Sequence, residues 1–379
     1  MLNPILDSHT WAAVPFHFWS VVLFLFGCTV GSFLNVCIHR LPLGQSVVSP
    51  PSHCPHCKYA IPWYLNVPLF TWLYLRGACR NCGAPISVRY FLVELLTGLL
   101  FLGCWVAFGH TSAWLALIYS LLLAGLVVAT FIDFEHFIIP DEITIGGMIA
   151  GFVCSFFVPS LQATASLPTS MKRSLLGMAV GAGLIYGILR LGKLVFGRHK
   201  VSLAPDTRII FSEHSVQLPD RAIPYEDLFY RKSDAIVVRA LKVELVDRCY
   251  KDVLVRLSPA SLRIGEESFN PEEVPCLEAV GSEIVLPREA MGLGDVKFMG
   301  AIGAFLGWRA VIFSLVVSSL IGSLVGISLV ILRKRGLSSR LPYGPYIAAA
   351  AALWIYAGPQ LVNWYKDLIT SAVGLTTGR

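Results

Sequence analysis

Charge is scarce in this chain. Asp, Glu, Lys and Arg together make up 14% of its 379 residues, against 55% hydrophobic residues. An ordinary soluble domain carries about 25% charged residues, so a single water-soluble core is a poor reading. A basic region ahead of the first apolar run is also missing, because no Lys or Arg precedes Arg40. That run is long for the apolar part of a secretory signal, so a retained helix with its N-terminus outside is expected. Other signals are absent too. The segment 200–287 shows no nucleotide-binding or catalytic motif, and the chain shows no inverted internal repeat of the kind common in transporters. The net charge of +6 is accounted for by basic loops, so no nucleic-acid partner is expected.

What is present is a series of long apolar runs. A helix needs about 20 apolar residues to cross a bilayer. Eight candidate runs lie near residues 17–37, 91–108, 112–132, 137–158, 174–196, 296–308, 310–332 and 344–362, the sixth and seventh parted only by the turn Gly307–Arg309. The fold expected is therefore an all-α polytopic membrane protein of about eight transmembrane helices in the lipid bilayer. Arg40, Lys58, Arg76, Arg80 and Arg89 lie in one loop, and Arg333, Lys334, Arg335 and Arg340 in another, whereas 109–112 and 159–170 carry no Lys or Arg. Excess Lys and Arg mark the cytoplasmic side. Both termini then lie outside, and the 39–89 loop, the turn at 133–136 and residues 197–290 face the cytosol.

Two segments break the apolar pattern. Across 200–287, charge and β-formers rise together, and Arg208-Ile-Ile-Phe211, Ala235-Ile-Val-Val-Arg239 and Val253-Leu-Val-Arg-Leu257 read as short strands. A small β-rich cytosolic insert is expected, a docking or regulatory element for an unidentified partner. The other segment holds Cys54-Pro-His-Cys57 and Cys79-Arg-Asn-Cys82, two C-x2-C pairs separated by 21 residues. This is close to the zinc-ribbon pattern, with four thiolates around a structural Zn²⁺. Two disulfides are the alternative, disfavoured in a reducing cytosol. The remaining six cysteines read as small packing residues. The organisation expected is a first helix within 1–37, the four-cysteine loop at 38–90, helices two to five within 91–199, the insert at 200–287 and helices six to eight within 288–379. In the fifth run, Gly177 with Gly181 and Gly183 with Gly187 suit close helix packing.

Carboxylates at the ends of apolar runs are unfavourable in lipid and usually mean function. Asp133 closes the third run in Phe131-Ile-Asp-Phe-Glu-His-Phe-Ile-Ile-Pro-Asp141, and Asp295 opens the sixth in Met291-Gly-Leu-Gly-Asp-Val-Lys297. By the expected topology both sit at the cytosolic membrane face. Two neighbouring carboxyls share a proton. The ionised member can deprotonate a water while the protonated one polarises a scissile carbonyl. Gly-x-Gly-Asp alone is weak, since about one chain in ten of this length would contain it by chance; its placement opposite Asp133 sharpens it. The competing reading is that either Asp caps a helix N-terminus. Capping is the reading favoured for Asp141 and Glu142. Glu135 and His136 read as solvated turn residues, and Lys297 as a snorkelling or local charge partner. Glu94 stays open between a structural contact and a substrate role.

Together these residues resemble the type IV prepilin peptidases, or prepilin leader peptidase/N-methyltransferases. Gly31-Ser-Phe-Leu-Asn-Val-Cys-Ile-His-Arg-Leu-Pro42, the C-x2-C pairs, Pro85-Ile-Ser-Val-Arg-Tyr90 with Glu94, Asp133 with Pro140-Asp141, Gly292-Leu-Gly-Asp295 and Pro342-Tyr-Gly-Pro-Tyr346 follow in family order. The resemblance implies cleavage of prepilin and pseudopilin leaders after a glycine, with Asp133 and Asp295 at the family's catalytic positions. It also implies N-methylation of the new N-terminal residue by S-adenosylmethionine, with the Cys loop as methyltransferase region and Gly77 matching a glycine important there. The implied location is the bacterial inner membrane, multi-pass, with the active site facing the cytosol. The insert at 200–287 is the departure from the family pattern. A cleavage-only preflagellin-type peptidase is the rival enzyme, disfavoured by the Cys loop. A proton- or cation-conducting transporter and a silent assembly scaffold are the rival classes.

Overall fold

The computed structural model describes residues 15–196, 198–219, 221–225, 228–229, 234–245, 248–274, 276–287, 292–332 and 341–377. The chain divides into two compact units, one built from residues up to Ile185 together with those from Leu293 onward, the other from Tyr186–Gly292. The basic residues 333–340 and the N-terminal residues 1–14 lie outside the described residues.

The first unit is helical: α1 (Phe16–Arg40), the short α2 (Phe70–Tyr74), α3 (Val88–Phe108), α4 (Ala113–His136), α5 (Asp141–Phe157), α6 (Leu167–Phe196, which continues into the second unit), α7 (Leu293–Ile331) and α8 (Gly344–Thr377). Local chemistry sets several boundaries. Ser87 and Ser112 cap α3 and α4, accepting from the N–H groups of Arg89 and Leu115. Phe137 ends α4 in the left-handed region (φ 56°), and its N–H returns to the Asp133 carbonyl. Pro140 precedes α5, whose first turn carries Asp141 and Glu142.

Among the described residues, five segments are long and apolar enough to cross a membrane: Phe16–Leu43, Val88–Phe108, Ala113–His136, Leu167–Gly192 and Leu293–Ile331. Their outward faces carry Phe18, Leu25, Phe33, Leu92, Leu121 and Leu320, all exposed. A water-soluble monomer does not display apolar surface on that scale, so this is a helical membrane protein. Of the eight expected runs, α5 has 17 residues and α8 is diluted by tyrosines, tryptophans and the internal Pro359. The sixth and seventh runs are one helix by hydrogen bonding, broken at Gly307 (φ 76°, ψ 173°). An unbroken helix of 39 residues would be about 58 Å long, against a hydrocarbon core of about 30 Å. The break loosens carbonyls in an apolar setting, where each needs a donor. Gln162 Nε2 donates to the carbonyls of Ala304 (2.9 Å) and Phe305 (3.1 Å), and Ser174 Oγ to Ala304 (2.8 Å).

The helices pack closely where small residues meet. A Cβ on Gly177 would fall 2.1 Å from the Gly303 carbonyl oxygen, and one on Gly181 2.3 Å from that of Met299. Gly183 and Gly187, expected to act likewise, have open space around them. Cys28, Cys37 and Cys104 are buried as expected of packing residues, but Cys249 and Cys276 are exposed, because both lie in the polar insert rather than the bundle.

The second unit is the β-rich segment expected at 200–287, outside the all-α description of the rest of the chain. It holds one eight-stranded, wholly antiparallel sheet in the order β3-β2-β1-β8-β4-β5-β6-β7. The strands are β1 (Arg198–Phe211), β2 (Ser215–Leu218), β3 (Arg221–Pro224), β4 (Ile236–Glu244), β5 (Cys249–Ser258), β6 (Ser261–Ile264), β7 (Glu267–Phe269) and β8 (Leu277–Pro287). The three runs read as strands in the sequence lie in β1, β4 and β5. In β8 the buried positions are Leu277, Ala279 and Gly281, then Ile284 and Leu286; in β4 they are Ile236, Val238 and Ala240, then Val243. The phase changes on both strands beside the register shifts that interrupt their pairing around Gly281 and Ala240. A one-residue slip turns every later side chain over, so matched irregularities keep one continuous core. Gly281 permits the close approach there, since a Cβ would lie 2.8 Å from the Arg239 carbonyl oxygen.

Candidate active site and metal centre in the helical unit

Contacts between helix ends sort the first unit into two poles. At one, Phe16 at the start of α1 stacks on His110 (ring centroids 4.0 Å apart) and on Trp105 near the end of α3 (5.5 Å). At the other, the end of α4 meets the starts of α3 and α8, and the start of α5 meets that of α7. Arg89 pairs with Glu135, Asp141 with Lys297, and Asp133 with Gly344. Glu135 was expected to be a solvated turn residue; it is half of an inter-helix ion pair, because Arg89 lies beside it at the start of α3.

Asp133 occupies the last turn of α4 and is buried, 5% exposed. Its Oδ2 accepts the backbone N–H of Gly344, the first residue of α8, at 2.8 Å. A side chain there would crowd the carboxylate, since a Cβ would lie 2.7 Å from that oxygen and 3.1 Å from Ile139 Cδ1. Asp295 lies in the first turn of α7, half-buried. Its neighbour Gly294 also lies against Ile139, with a Cβ position 3.4 Å from the Ile139 Cβ and carbonyl oxygen. Ile139 thus touches both carboxylate-bearing blocks. Two residues further, Lys297 Nζ grips both oxygens of Asp141 at 2.6 and 2.8 Å. Asp133 and Asp295 therefore share one pole of the unit. Asp141 serves as the charge partner of Lys297, and α5 has no side-chain cap. Gly344 and Ile139 stand inside motifs legible in the sequence, but their side-on contacts follow only from how the helices cross.

The Cys loop folds as two equivalent knuckles. Cys54 N–H bonds the Tyr59 carbonyl and Cys79 N–H that of Ala84; Lys58 N–H returns to Cys54 and Gly83 N–H to Cys79. Lys58 (φ 58°) and Gly83 (φ 69°) supply the same left-handed step. All four Sγ atoms lie within 4.8 Å of one another, with Cys54–Cys82 at 3.8 Å and Cys57–Cys79 at 4.0 Å. A tetrahedron of Zn–S bonds of about 2.3 Å sets its sulfurs about 3.8 Å apart. The four thiols thus fit one metal ion and stand too far apart for disulfides. The Asn81 amide, bonded to Cys57 Sγ at 3.5 Å, is the main cause that draws the Cys57 thiol down to about 6. Backbone N–H groups beside Cys79 lower its thiol as well. At Cys82 a lowering backbone hydrogen bond is outweighed by burial and the neighbouring thiols, which push it up to about 11, so Cys57 and Cys79 are the two poised as the thiolates a metal needs.

Gly77 lies just before the second knuckle at φ 68°, where a Cβ would strike the Trp72 ring at 2.9 Å. Its carbonyl accepts from Ile86 N–H at 2.7 Å. Local backbone geometry alone thus calls for glycine. Glu94 is buried on α3 and accepts the Leu69 N–H at 2.7 Å, a structural tie from the loop to the helix. Asn35, inside the Gly31–Pro42 motif, ties α1 to α3: it is buried and donates to the carbonyl of Tyr90 at 3.0 Å.

Sequence comparison bears on this layout directly. The family model described as Bacterial Peptidase A24 N-terminal domain matches residues 25–108, which hold the four cysteines. The model described as Type IV leader peptidase family matches 120–204 and 276–327, which hold Asp133 and Asp295. The type 4 prepilin-like proteins leader peptide-processing enzyme of Escherichia coli O78:H11 is 35% identical over 47% of this chain and 69% of its own length. This chain belongs to the type IV leader peptidase family. Its relatives include the prepilin leader peptidase/N-methyltransferases of Myxococcus xanthus, 50% identical over 39% of this chain and 44% of that protein, and of Aeromonas hydrophila, 28% identical over 93% and 95%. No solved structure matches. The family match is interrupted between residues 204 and 276, within the sheet of the second unit.

Proposed function

We propose that this leader peptidase cuts type IV prepilins or pseudopilins after a glycine, using Asp133 and Asp295 as an aspartic dyad, and then N-methylates the exposed residue with S-adenosylmethionine. What supports the reading is the shared pole: Ile139 lies beside both Gly294 and Gly344, and the Gly344 N–H binds Asp133. In the reaction one carboxylate takes a proton from water, the water oxygen bonds the scissile carbonyl carbon, and the protonated partner donates to the carbonyl oxygen. Collapse of the tetrahedral intermediate expels the amine, which takes up a proton and leaves with the mature pilin.

The chain then has about eight spans, with the broken α7 counted twice and α5 and α8 included, in a bacterial inner membrane. The Asp133 pole faces the cytosol, where Arg40, Lys58, Arg76, Arg80 and Arg89 cluster. We assign residues 1–37 to the first span, 38–90 to the methyltransferase loop, 91–199 to spans two to five, 200–287 to the insert with its unidentified partner, and 288–379 to the remaining spans. Cys54, Cys57, Cys79 and Cys82 would hold a structural Zn²⁺, which supplies folding energy to a loop too small for a core of its own. S-adenosylmethionine enters through the N-methyltransferase in the names of the relatives. Gly77 belongs to that region as the residue whose left-handed turn a side chain would spoil.

The test is mass spectrometry of a prepilin peptide incubated with the purified chain, with and without S-adenosylmethionine. Leader loss in both samples and one added methyl group only with the donor is the expected result. An uncut peptide would refute the peptidase; cleavage without methylation would reduce the protein to a peptidase alone.

A further inference from the structure

The loop between α1 and α3 exposes more large apolar surface than a water-facing loop needs. Trp63 is 84% exposed, Tyr74 69%, Phe70 64% and Leu73 58%. These residues do not lack an inner face. Leu65 is buried, and Trp72 packs its ring on Phe91 of α3, centroids 5.3 Å apart. The exposed set is thus the outer side of a segment already folded onto the helical unit.

Its depth follows from one hydrogen bond. Leu69 N–H bonds Glu94 at 2.7 Å, and Glu94 lies six residues into α3, which begins at Val88. At 1.5 Å per residue that is about 9 Å along the helix axis. Interfacial helices bury their apolar faces about 5–10 Å into the headgroup and acyl boundary. So α2 lies alongside the first turns of a membrane-crossing helix rather than beyond its end. Leu92 and Leu96, on the same stretch of α3, are themselves exposed apolar residues. Charge agrees: residues 39–93 contain no Asp or Glu but do contain Arg40, Lys58, Arg76, Arg80 and Arg89. An acid-free basic segment is drawn to anionic lipid headgroups, and Trp and Tyr favour the same zone.

We infer that residues 63–74 form an interfacial anchor, with Trp63, Phe70, Leu73 and Tyr74 seated in the lipid leaflet. The anchor holds the four-thiolate knuckles against the membrane face that carries the Asp133 pole. It rests on the helices crossing a membrane and needs neither cleavage nor methylation.

The test places the photoreactive residue p-benzoylphenylalanine at position 70 or 74 of the full chain, in vesicles of phosphatidylethanolamine and phosphatidylglycerol. Position 96 of α3 serves as the lipid-facing reference. After irradiation, mass spectrometry should find lipid adducts at 70 and 74 in yields comparable with position 96, unchanged by added prepilin peptide. Lipid adducts at 96 with several-fold fewer at 70 and 74 would overturn the anchor. Adducts that move from lipid to the peptide, or to a second copy of the chain, would overturn it by revealing a protein-docking surface. Absence of lipid adducts at all three positions would overturn the membrane reading and the anchor with it.

Discussion

Replacing Gly344 by Ala should damage leader cleavage while leaving the fold in place. The added methyl would sit 2.7 Å from Asp133 Oδ2 and 3.1 Å from Ile139 Cδ1, whereas carbon and oxygen settle at about 3.3 Å or more. The carboxylate must shift by about half an ångström, which weakens the 2.8 Å bond from the Gly344 N–H. A hydrogen bond to a charged group contributes about 1.5–3 kcal/mol, and a misplaced reacting group loses up to about 100-fold in rate. We expect kcat for a prepilin peptide to fall by about 10- to 100-fold, with KM little changed because the substrate's remote contacts remain. Gly125→Ala, on the same helix as Asp133 but facing open space, is the control and should keep full turnover. Peptide turnover in detergent, read beside thermal unfolding of each variant, makes the measurement. Wild-type kcat in Gly344→Ala would refute the tight packing of that carboxylate.

Three further outcomes follow. Gln162→Ala should lower stability by about 1–3 kcal/mol in denaturant unfolding, because the carbonyls of Ala304 and Phe305 lose a buried donor; an unchanged midpoint would deny it a role at the α7 break. Lys297→Ala should change stability by less than about 1 kcal/mol, since its partner Asp141 is 58% exposed, yet slow cleavage clearly if the pair aligns the Asp295 turn; loss of both in proportion would make it merely structural. Cys57, drawn down to about 6 from an ordinary 9.0, carries the thiolate between those values, and that advantage disappears as pH falls through 6. Metal release on acidification should therefore set in at higher pH in Asn81→Ala than in the wild type, followed by a chromogenic zinc indicator; identical profiles would rule out the Asn81 amide as the cause.

The sequence carried the helical membrane character, the four-cysteine cluster and the turn at Gly307, because each depends on composition or spacing within a short stretch. A 39-residue apolar segment has to break somewhere, and glycine at a left-handed φ is where it can. The sheet was visible only in part, since β1 and β8 lie far apart in sequence and alternate imperfectly around their irregularities. Pairings between helix ends were the least legible. Nothing near Glu135 announces Arg89, 46 residues away, and nothing near Asp133 announces the N–H of Gly344. The Gly183 and Gly187 spacing misled for the same reason: a packing motif states that a close approach is possible, and only the neighbouring helix decides which copy is used.

Asp133 and Asp295 are proposed to act as one catalytic pair. Asn is nearly the same size as Asp but cannot hold or give up the proton, so Asp133→Asn and Asp295→Asn should each abolish cleavage of a prepilin peptide, with inserted, folded protein recovered in both cases. Processing of the peptide by either variant at a rate near that of the unaltered chain would contradict the claim.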